Sequence, residues 1–250
     1  MITAFEERSA NAWPAPRTVL VDGWVARFAG GYSRRANSVL PLYGGSGSDG
    51  SRLDACEGLY RGEGLRCAFK LTEASPPGLD DRLKTAGYAL EAPTAVMTLE
   101  TLPVPRERAT PPPCEALVSA RPDDSWMEAW LGFSRVAAGD RPVAAAIVSS
   151  IIPERRFILL RDGGSPVACA MVVVEGGWAG VFDVVVKPGE RGRGLGRAVM
   201  DHALAEAAKA GARASYLQVM EDNMVAARLY ASLGYRQAYR YWYRRQGGAA

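Results

Sequence analysis

The chain has 250 residues, a length that suits one large domain or two small ones, and 48% of them are apolar, enough for a real core. Thirty Lys plus Arg against 27 Asp plus Glu leave a net charge of +3, too small to argue for a nucleic-acid partner, and the pairs Arg34–Arg35 and Arg155–Arg156 are isolated. Four cysteines without a CxxC spacing and a single histidine give no zinc pattern, so no metal is expected, and no apolar run approaches the roughly 20 residues that span a bilayer.

From the N-terminus, Glu6 and Glu7 have no apolar stretch behind them, which is not the pattern of a signal peptide. With the cysteine usage this points to a reducing, cytoplasmic setting. A short helix over Phe5–Trp13 should stop before Pro14. The stretch TVLVDGWVARFA reads as two strands around the tight-turn pair Asp22–Gly23. The glycine-rich residues 44–50 are a loop. A short helix over 53–64, a strand over 65–71 and a second short helix over 79–86, closed by Gly87, follow. Tyr88–Leu90 and Ala95–Leu99 read as strands. Residues 102–113, LPVPRERATPPP, carry five prolines and exclude a central strand or helix interior, which places the domain boundary there.

In the second half, Asp123–Ser134 reads as a helix with Trp126, Trp130 and Phe133 on one face. Val143–Ile151, Phe157–Arg161, Pro166–Glu175 and Trp178–Val186 read as strands. Then come KPGERGRGLG, a long alanine-rich helix through about Lys209, a strand over Ala214–Gln218, a helix over Asn223–Ser232 stopped at Gly234, and a last strand over Tyr235–Arg245. An internal echo is present: LKTAGYALEAPTAVM at 83–97 resembles YASLGYRQAYRYWYR at 230–244, each a helix end, a Gly-Tyr pair and a strand. It fits two copies of one fold, the first without its ligand loop.

Two groups of residues carry chemistry. Arg191, Gly192, Arg193, Gly194, Leu195 and Gly196 stand between an apolar strand and a long helix. Such a turn aims main-chain N–H groups at a phosphate, and glycine lets the anion approach. Arg191, Arg193 and Arg197 add positive charge, which favours a polyphosphate. The turn has neither the dinucleotide register nor the lysine and hydroxyl of an ATP-type loop. In the helix behind it, Leu195, Ala198, Val199, Ala205 and Ala208 form the expected inward stripe, and His202 next to it is read as a packing residue. The second group is Asn223, Ala227 and Tyr230, whose offsets of four and seven put an amide, a small residue and a phenol on one helix face. Taken singly, Asn223 reads as a helix cap and Tyr230 as a core aromatic.

These residues resemble the coenzyme-A motif of the Gcn5-related N-acetyltransferase family, an Arg/Gln-x-x-Gly-x-Gly/Ala run after a strand, met here by Arg191, Gly194 and Gly196. The later family pattern is met by Asn223, Leu229, Tyr230, Gly234 and Tyr235. The resemblance implies an α/β chain of tandem acetyltransferase-like units with mixed, mostly antiparallel central sheets. It divides the chain into a degenerate N-terminal domain, 1–110, and an acetyl-coenzyme-A-binding domain, 115–250. The first part is similar to a bacterial subgroup of tandem-like members through NAWPA, DGW and GYSRRANSV at 11–39. The donor binds where Trp178–Val186 and Ala214–Gln218 splay apart. Main-chain groups of Val184, Val185 and Val186 pair with the pantetheine arm, the Gly192–Gly196 amides hold the pyrophosphate, Ala227 leaves room for the arm, Asn223 approaches the thiol end, and Tyr230 protonates the departing thiolate.

A phenol is a competent acid for that step, and transfer would be direct, from thioester to amine. The base is either Asp183, on the central strand, or Glu175, at the end of the preceding one; strand alternation can equally turn Asp183 away. A water chain or an N-terminal residue is the remaining option. The acceptor is expected to be a small-molecule primary amine, with a peptide or protein amine as the second possibility, oriented by Arg35 or Asn37 in the polar segment 31–39. Neither nucleic acid nor membrane is an expected partner, and the chain is expected to be a monomer or homodimer. The alternatives are a non-catalytic acyl-coenzyme-A sensor and a transferase for another acyl group, such as succinyl or malonyl.

Overall fold

The computed structural model describes residues 1–103 and 114–247, so most of the expected boundary segment 102–113 lies outside the described residues. In chain order the elements are α1 (Ile2–Ala12), β1 (Arg17–Val21), β2 (Trp24–Phe28), β3 (Val39–Leu40), α2 (Asp49–Gly62), β4 (Ala68–Thr72), α3 (Leu79–Thr85), β5 (Tyr88–Leu99), β6 (Glu115–Ser119), α4 (Asp124–Phe133), α5 (Arg141–Ser149), β7 (Glu154–Asp162), β8 (Ser165–Glu175), β9 (Trp178–Val186), α6 (Leu195–Lys209), β10 (Ala214–Met220), α7 (Met224–Ser232) and β11 (Arg236–Gln246). The fold is mixed α/β, with mostly antiparallel strands.

The chain forms two compact units. The first is Met1–Val96, Met220–Asp222 and the chain from Ala238 on; the second is Met97–Val219 with Asn223–Gln237. Splitting the chain at one point, as the composition of 102–113 suggests, therefore misses that most of β11 belongs with the N-terminal residues.

In the first unit the strand order is β1-β2-β3-β4-β11-β5. β1/β2, β2/β3 and β4/β11 are antiparallel and β3/β4 is parallel. Asp22 and Gly23 turn β1 into β2 with φ of +43° and +88°, the left-handed pair that a two-residue hairpin needs. One sheet face packs Trp24, Phe28, Phe69, Leu71 and Tyr88 with Leu53, Tyr60, Leu79 and Leu83 of α2 and α3. α1 contributes Glu6, which pairs with Lys70 at 2.6 Å, both nearly fully buried, and accepts a hydrogen bond from the Tyr239 hydroxyl at 2.8 Å. Asp80 of α3 takes Nε and Nη2 of Arg244 at 2.8 and 2.9 Å and the Trp242 indole N–H at 2.7 Å, tying α3 to β11.

The second unit has the order β10-β9-β8-β7-β6, with β9/β10 parallel and the other pairs antiparallel. α4 starts where Asp123 accepts from the Trp126 N–H, an ordinary N-cap. The Trp126 ring stacks on Trp130, meets Phe157 edge-on, and donates its indole N–H to Ile158 O and Ala170 O at 3.1 and 3.2 Å. The expected strand over Val143–Ile151 is instead α5. Pro142 suits a first helical turn, and the buried residues Ala144, Ile147 and Val148 fall at helical spacing, so periodicity overrides the β propensity of Val and Ile. The two strands expected in 88–99 are one, continuous through Pro93 with Ala92 at φ +46°.

Two stretches of the chain, β2 to β5 and β8 to β11, repeat one plan: an antiparallel strand pair, a loop, a helix, a strand parallel to the second strand of that pair, a helix, a left-handed glycine and a further strand. The echo between 83–97 and 230–244 is the last part of it. α3 ends at Gly87 (φ +83°) before β5, and α7 ends at Gly234 (φ +96°) before β11.

Candidate active site

The centre of the second unit is the β9/β10 pair. Its parallel ladder runs from Trp178↔Ala214 to Val181↔Leu217 and stops there, although both strands continue. On the other side, β9 pairs with β8 out of step: Met171 faces Phe182 while Cys169 faces Val185, so Asp183 and Val184 together oppose Ala170. This is a β-bulge, and Asp183 has φ +50°, a left-handed conformation rare for a non-glycine residue. The bulge turns the strand where the ladder to β10 ends, leaving Val184, Val185 and Val186 half-buried beyond it. Nothing in the sequence around Asp183 announces the bulge.

After β9 the chain passes Pro188–Glu190, a short 3-10 turn, and enters the glycine-rich loop. Gly192 and Gly194 sit at φ +82° and +78°, and no side chain caps the start of α6. The Leu195 and Gly196 amides at the start of α6 therefore remain available to an anion, while the Arg197 N–H donates to Gly194 O. Gly196 lies close against α7, since a Cβ there would stand 3.3 Å from Leu229 Cδ2. The three arginines are not equivalent. Arg193 is held between Asp162, at 2.7 Å, and Glu190, and Arg197 reaches the Ser232 hydroxyl at 3.1 Å and Asp201 at 3.6 Å. Among the described residues Arg191 has no ion pair and is exposed. The buried stripe of α6 is Leu195, Ala198, Val199, Met200, Ala203, Leu204 and Ala207; Ala205 and Ala208 fall just off it, and His202 is half-buried beside it.

α7 closes the site. Asn223 is its N-cap, its Oδ1 accepting from the Ala226 N–H at 3.2 Å, which leaves the amide donors of Asn223 outside the cap. Ala227 is half-buried and Tyr230 is buried. Burial first, and the Asp183 charge second, push the Tyr230 phenol up to about 12. Asp183 thus stands within electrostatic range of Tyr230. Glu175 is not brought to them: it faces Trp178 across the turn, five residues along β9 from Asp183, about 16 Å at strand rise.

The two acceptor residues expected in the first unit have other tasks. Asn37 is buried, and its Oδ1 accepts from Ala29 N and Gly31 N while its Nδ2 donates to Tyr32 O and Ser33 O. Its four hydrogen-bonding positions are used within one loop, which leaves none for an amine. The Arg35 guanidinium lies 3.9 Å over the Trp13 ring.

The glycine-rich loop 44–48 of the first unit lies between β3 and α2, in the same topological place as 187–194. Its amides are taken: Ser46 N and Gly47 N donate to the Asp22 carboxylate at 2.9 and 2.7 Å, and Ser48 caps α2. These two amides and the Ser46 hydroxyl hold the Asp22 carboxyl below its usual range. Leu83 stands at the helix position that Tyr230 takes in α7. Among the described residues no cluster of three or more His, Cys, Asp or Glu could hold a metal, and no helix is long and apolar enough to cross a membrane.

A family model described as "Probable histone acetyltransferase Rv0428c C-terminal" matches residues 1–244. The chain is 27% identical over 256 aligned positions to the uncharacterized N-acetyltransferase YobR of Bacillus subtilis (strain 168), covering 97% of this chain and 98% of that one. A Gcn5-related N-acetyltransferase from Kribbella flavida superposes with a TM-score of 0.74 at 19% identity, covering 99% and 96% of the two chains. A tandem GNAT protein from the clavulanic acid biosynthesis pathway gives 0.64 at 14% identity, with 98% and 88% covered.

Proposed function

From the premise that the chain belongs to the Rv0428c C-terminal family, within the Gcn5-related N-acetyltransferases, we propose that it transfers an acetyl group from acetyl-coenzyme A directly to a primary amine of a small molecule. The observation that carries this is the convergence at the end of the β9/β10 ladder of an uncapped, glycine-rich helix start and a buried tyrosine beside a carboxylate. The α6 amides and Arg191 suit a pyrophosphate, and the unpaired edge of β9 from Val184 to Val186 suits an extended amide-bearing arm.

The donor supplies an activated thioester. Asp183, or a water it orders, takes a proton from the ammonium form of the acceptor. The amine nitrogen then bonds to the thioester carbonyl carbon, the C–S bond breaks, the thiolate takes the Tyr230 hydroxyl proton, and the phenolate takes, directly or through water, the second proton that the nitrogen sheds as it becomes an amide. The raised phenol pKa keeps that proton in place until the thiolate forms. Asn223 amide donors stand at the same helix start to orient the arm. The first unit, with Leu83 for the phenol and Asp22 in its loop, is read as non-catalytic, so one donor binds per chain.

A chain of net charge +3 has no bulk attraction for a lysine-rich peptide, which favours the small-molecule amine. The cytoplasmic setting is read from the cysteine usage and the acidic, apolar-poor start of the sequence. Calorimetry with acetyl-coenzyme A should give one site per chain. Thiol release should then be tested across small amines and a lysine-rich peptide. Turnover with the peptide alone would reverse the acceptor class; two donor sites per chain would contradict the reading of the first unit.

A further inference from the structure

The geometry points to a second tyrosine in the machinery: Tyr235, held by Ser215, is the positioning residue that keeps the Tyr230 phenol in place. This rests on Tyr230 being the proton donor.

α7 ends in a Schellman motif. Gly234 N–H donates to Ala231 O at 3.0 Å, and Tyr235 N–H reaches back to Tyr230 O at 3.1 Å. The motif makes Tyr230 and Tyr235 neighbours in the contact that usually accompanies such helix ends. Their rings meet edge-on, 6.1 Å apart at 60°. Tyr235 is thus joined to Tyr230 through both main chain and ring.

The other end of Tyr235 is fixed in the sheet. Its hydroxyl lies 2.6 Å from Ser215 Oγ, and Ser215 Oγ lies 2.9 Å from Ala179 O. A serine hydroxyl has one proton. Since Ala179 O can only accept, that proton goes there, and the Tyr235 hydroxyl is the donor to Ser215. All three residues are buried. Ser215 and Ala179 are direct partners in the β9/β10 ladder, two steps before it stops. A relay of Ala179, Ser215 and Tyr235 therefore links the last paired stretch of the two strands to the turn of helix carrying Tyr230. Filling the core here needs only a phenylalanine ring; the hydroxyl adds direction.

The test uses the full chain with saturating acetyl-coenzyme A and the best amine found in a panel, well below the melting temperature and with circular dichroism to confirm folding. Tyr235→Phe keeps the ring and removes the donor; Ser215→Ala removes the acceptor. Each should lower kcat roughly tenfold, as a misplaced catalytic group does, and leave the KM for acetyl-coenzyme A within about twofold, because the α6 loop is untouched. The double variant should be no slower than either single one, since both break the same link. Unchanged kcat in both, losses that multiply in the double variant, or a rise in KM without loss of kcat would overturn the proposal. Tyr230→Phe is run beside them. If it keeps full kcat, the assignment of the acid has failed; if it loses kcat while Tyr235→Phe and Ser215→Ala do not, only the positioning role has failed.

Discussion

The pattern Asn-x6-Tyr marks Tyr230 and the family resemblance makes it the acid, but neither says what stands beside the phenol. The bulge supplies that: Asp183, turned by its positive φ, adds its charge to the burial that already raises Tyr230 to about 12. An acid must be protonated to act, so a raised pKa extends its working range upward. The rate should show no alkaline decline from this group until the pH nears 12, as a pH–rate profile would reveal. Asp183→Asn should lower kcat about 10²-fold or more on the plateau if Asp183 is the base. A change confined to the alkaline limb would leave it only as an electrostatic neighbour. Among the arginines, sequence gave three equal candidates and the ion pairs separate them. Arg191→Ala should raise the KM for acetyl-coenzyme A roughly tenfold with kcat kept, the loss of one charge-assisted contact. Arg193→Ala should change it less than about threefold, because Asp162 and Glu190 already hold that side chain. Asn37→Ala should act on stability, costing about 2 kcal/mol or more in denaturant unfolding through its lost loop bonds, with both KM values unchanged.

Elements were most legible where glycine or a cap marks them. The ends of α3 and α7, the hairpin at Asp22–Gly23 and the start of α4 all follow from local rules. α5 was misread because Val143, Ile147, Val148 and Ile151 have strand propensity, and only their burial at helical spacing shows the helix. β6, a strand in the second unit, gives no clear alternation and was not anticipated. The stretch GGSGSDG is legible as a loop but not as the counterpart of 187–194; what identifies it as that is its place between β3 and α2. Gly234→Ala should destabilise by about 1–3 kcal/mol, since φ of +96° strains any L side chain and the Cβ would stand 3.3 Å from Leu99 Cδ1. It should lower kcat as well, by loosening the helix end that carries Tyr230. Asp22→Ala should leave kcat unchanged and make the 44–48 loop more open to proteolysis. An unaltered cleavage pattern would show that the carboxylate does not hold the loop.

On the scale of the whole molecule, two copies of one plan are encoded by a sequence in which the plan shows only at 83–97 and 230–244. The rest has diverged, because a sheet face needs only apolar residues of about the right size. The composition of 102–113 suggested a chain divisible in two, but the first unit is completed by β11. Glu6 and Asp80 both take partners there. A fragment ending at residue 110 should therefore fail to unfold cooperatively on heating, whereas adding 238–247 as a separate peptide should restore a transition. The central claim, that the second unit is a working transferase, is tested most directly by amine-dependent release of the coenzyme-A thiol from the full chain. The account predicts saturable release with at least one primary amine, cut about 10²-fold or more in Tyr230→Phe with binding of acetyl-coenzyme A intact. Tight binding of acetyl-coenzyme A with no release on any amine, in a protein that folds normally, would contradict it and mark the chain as an acyl-coenzyme-A sensor.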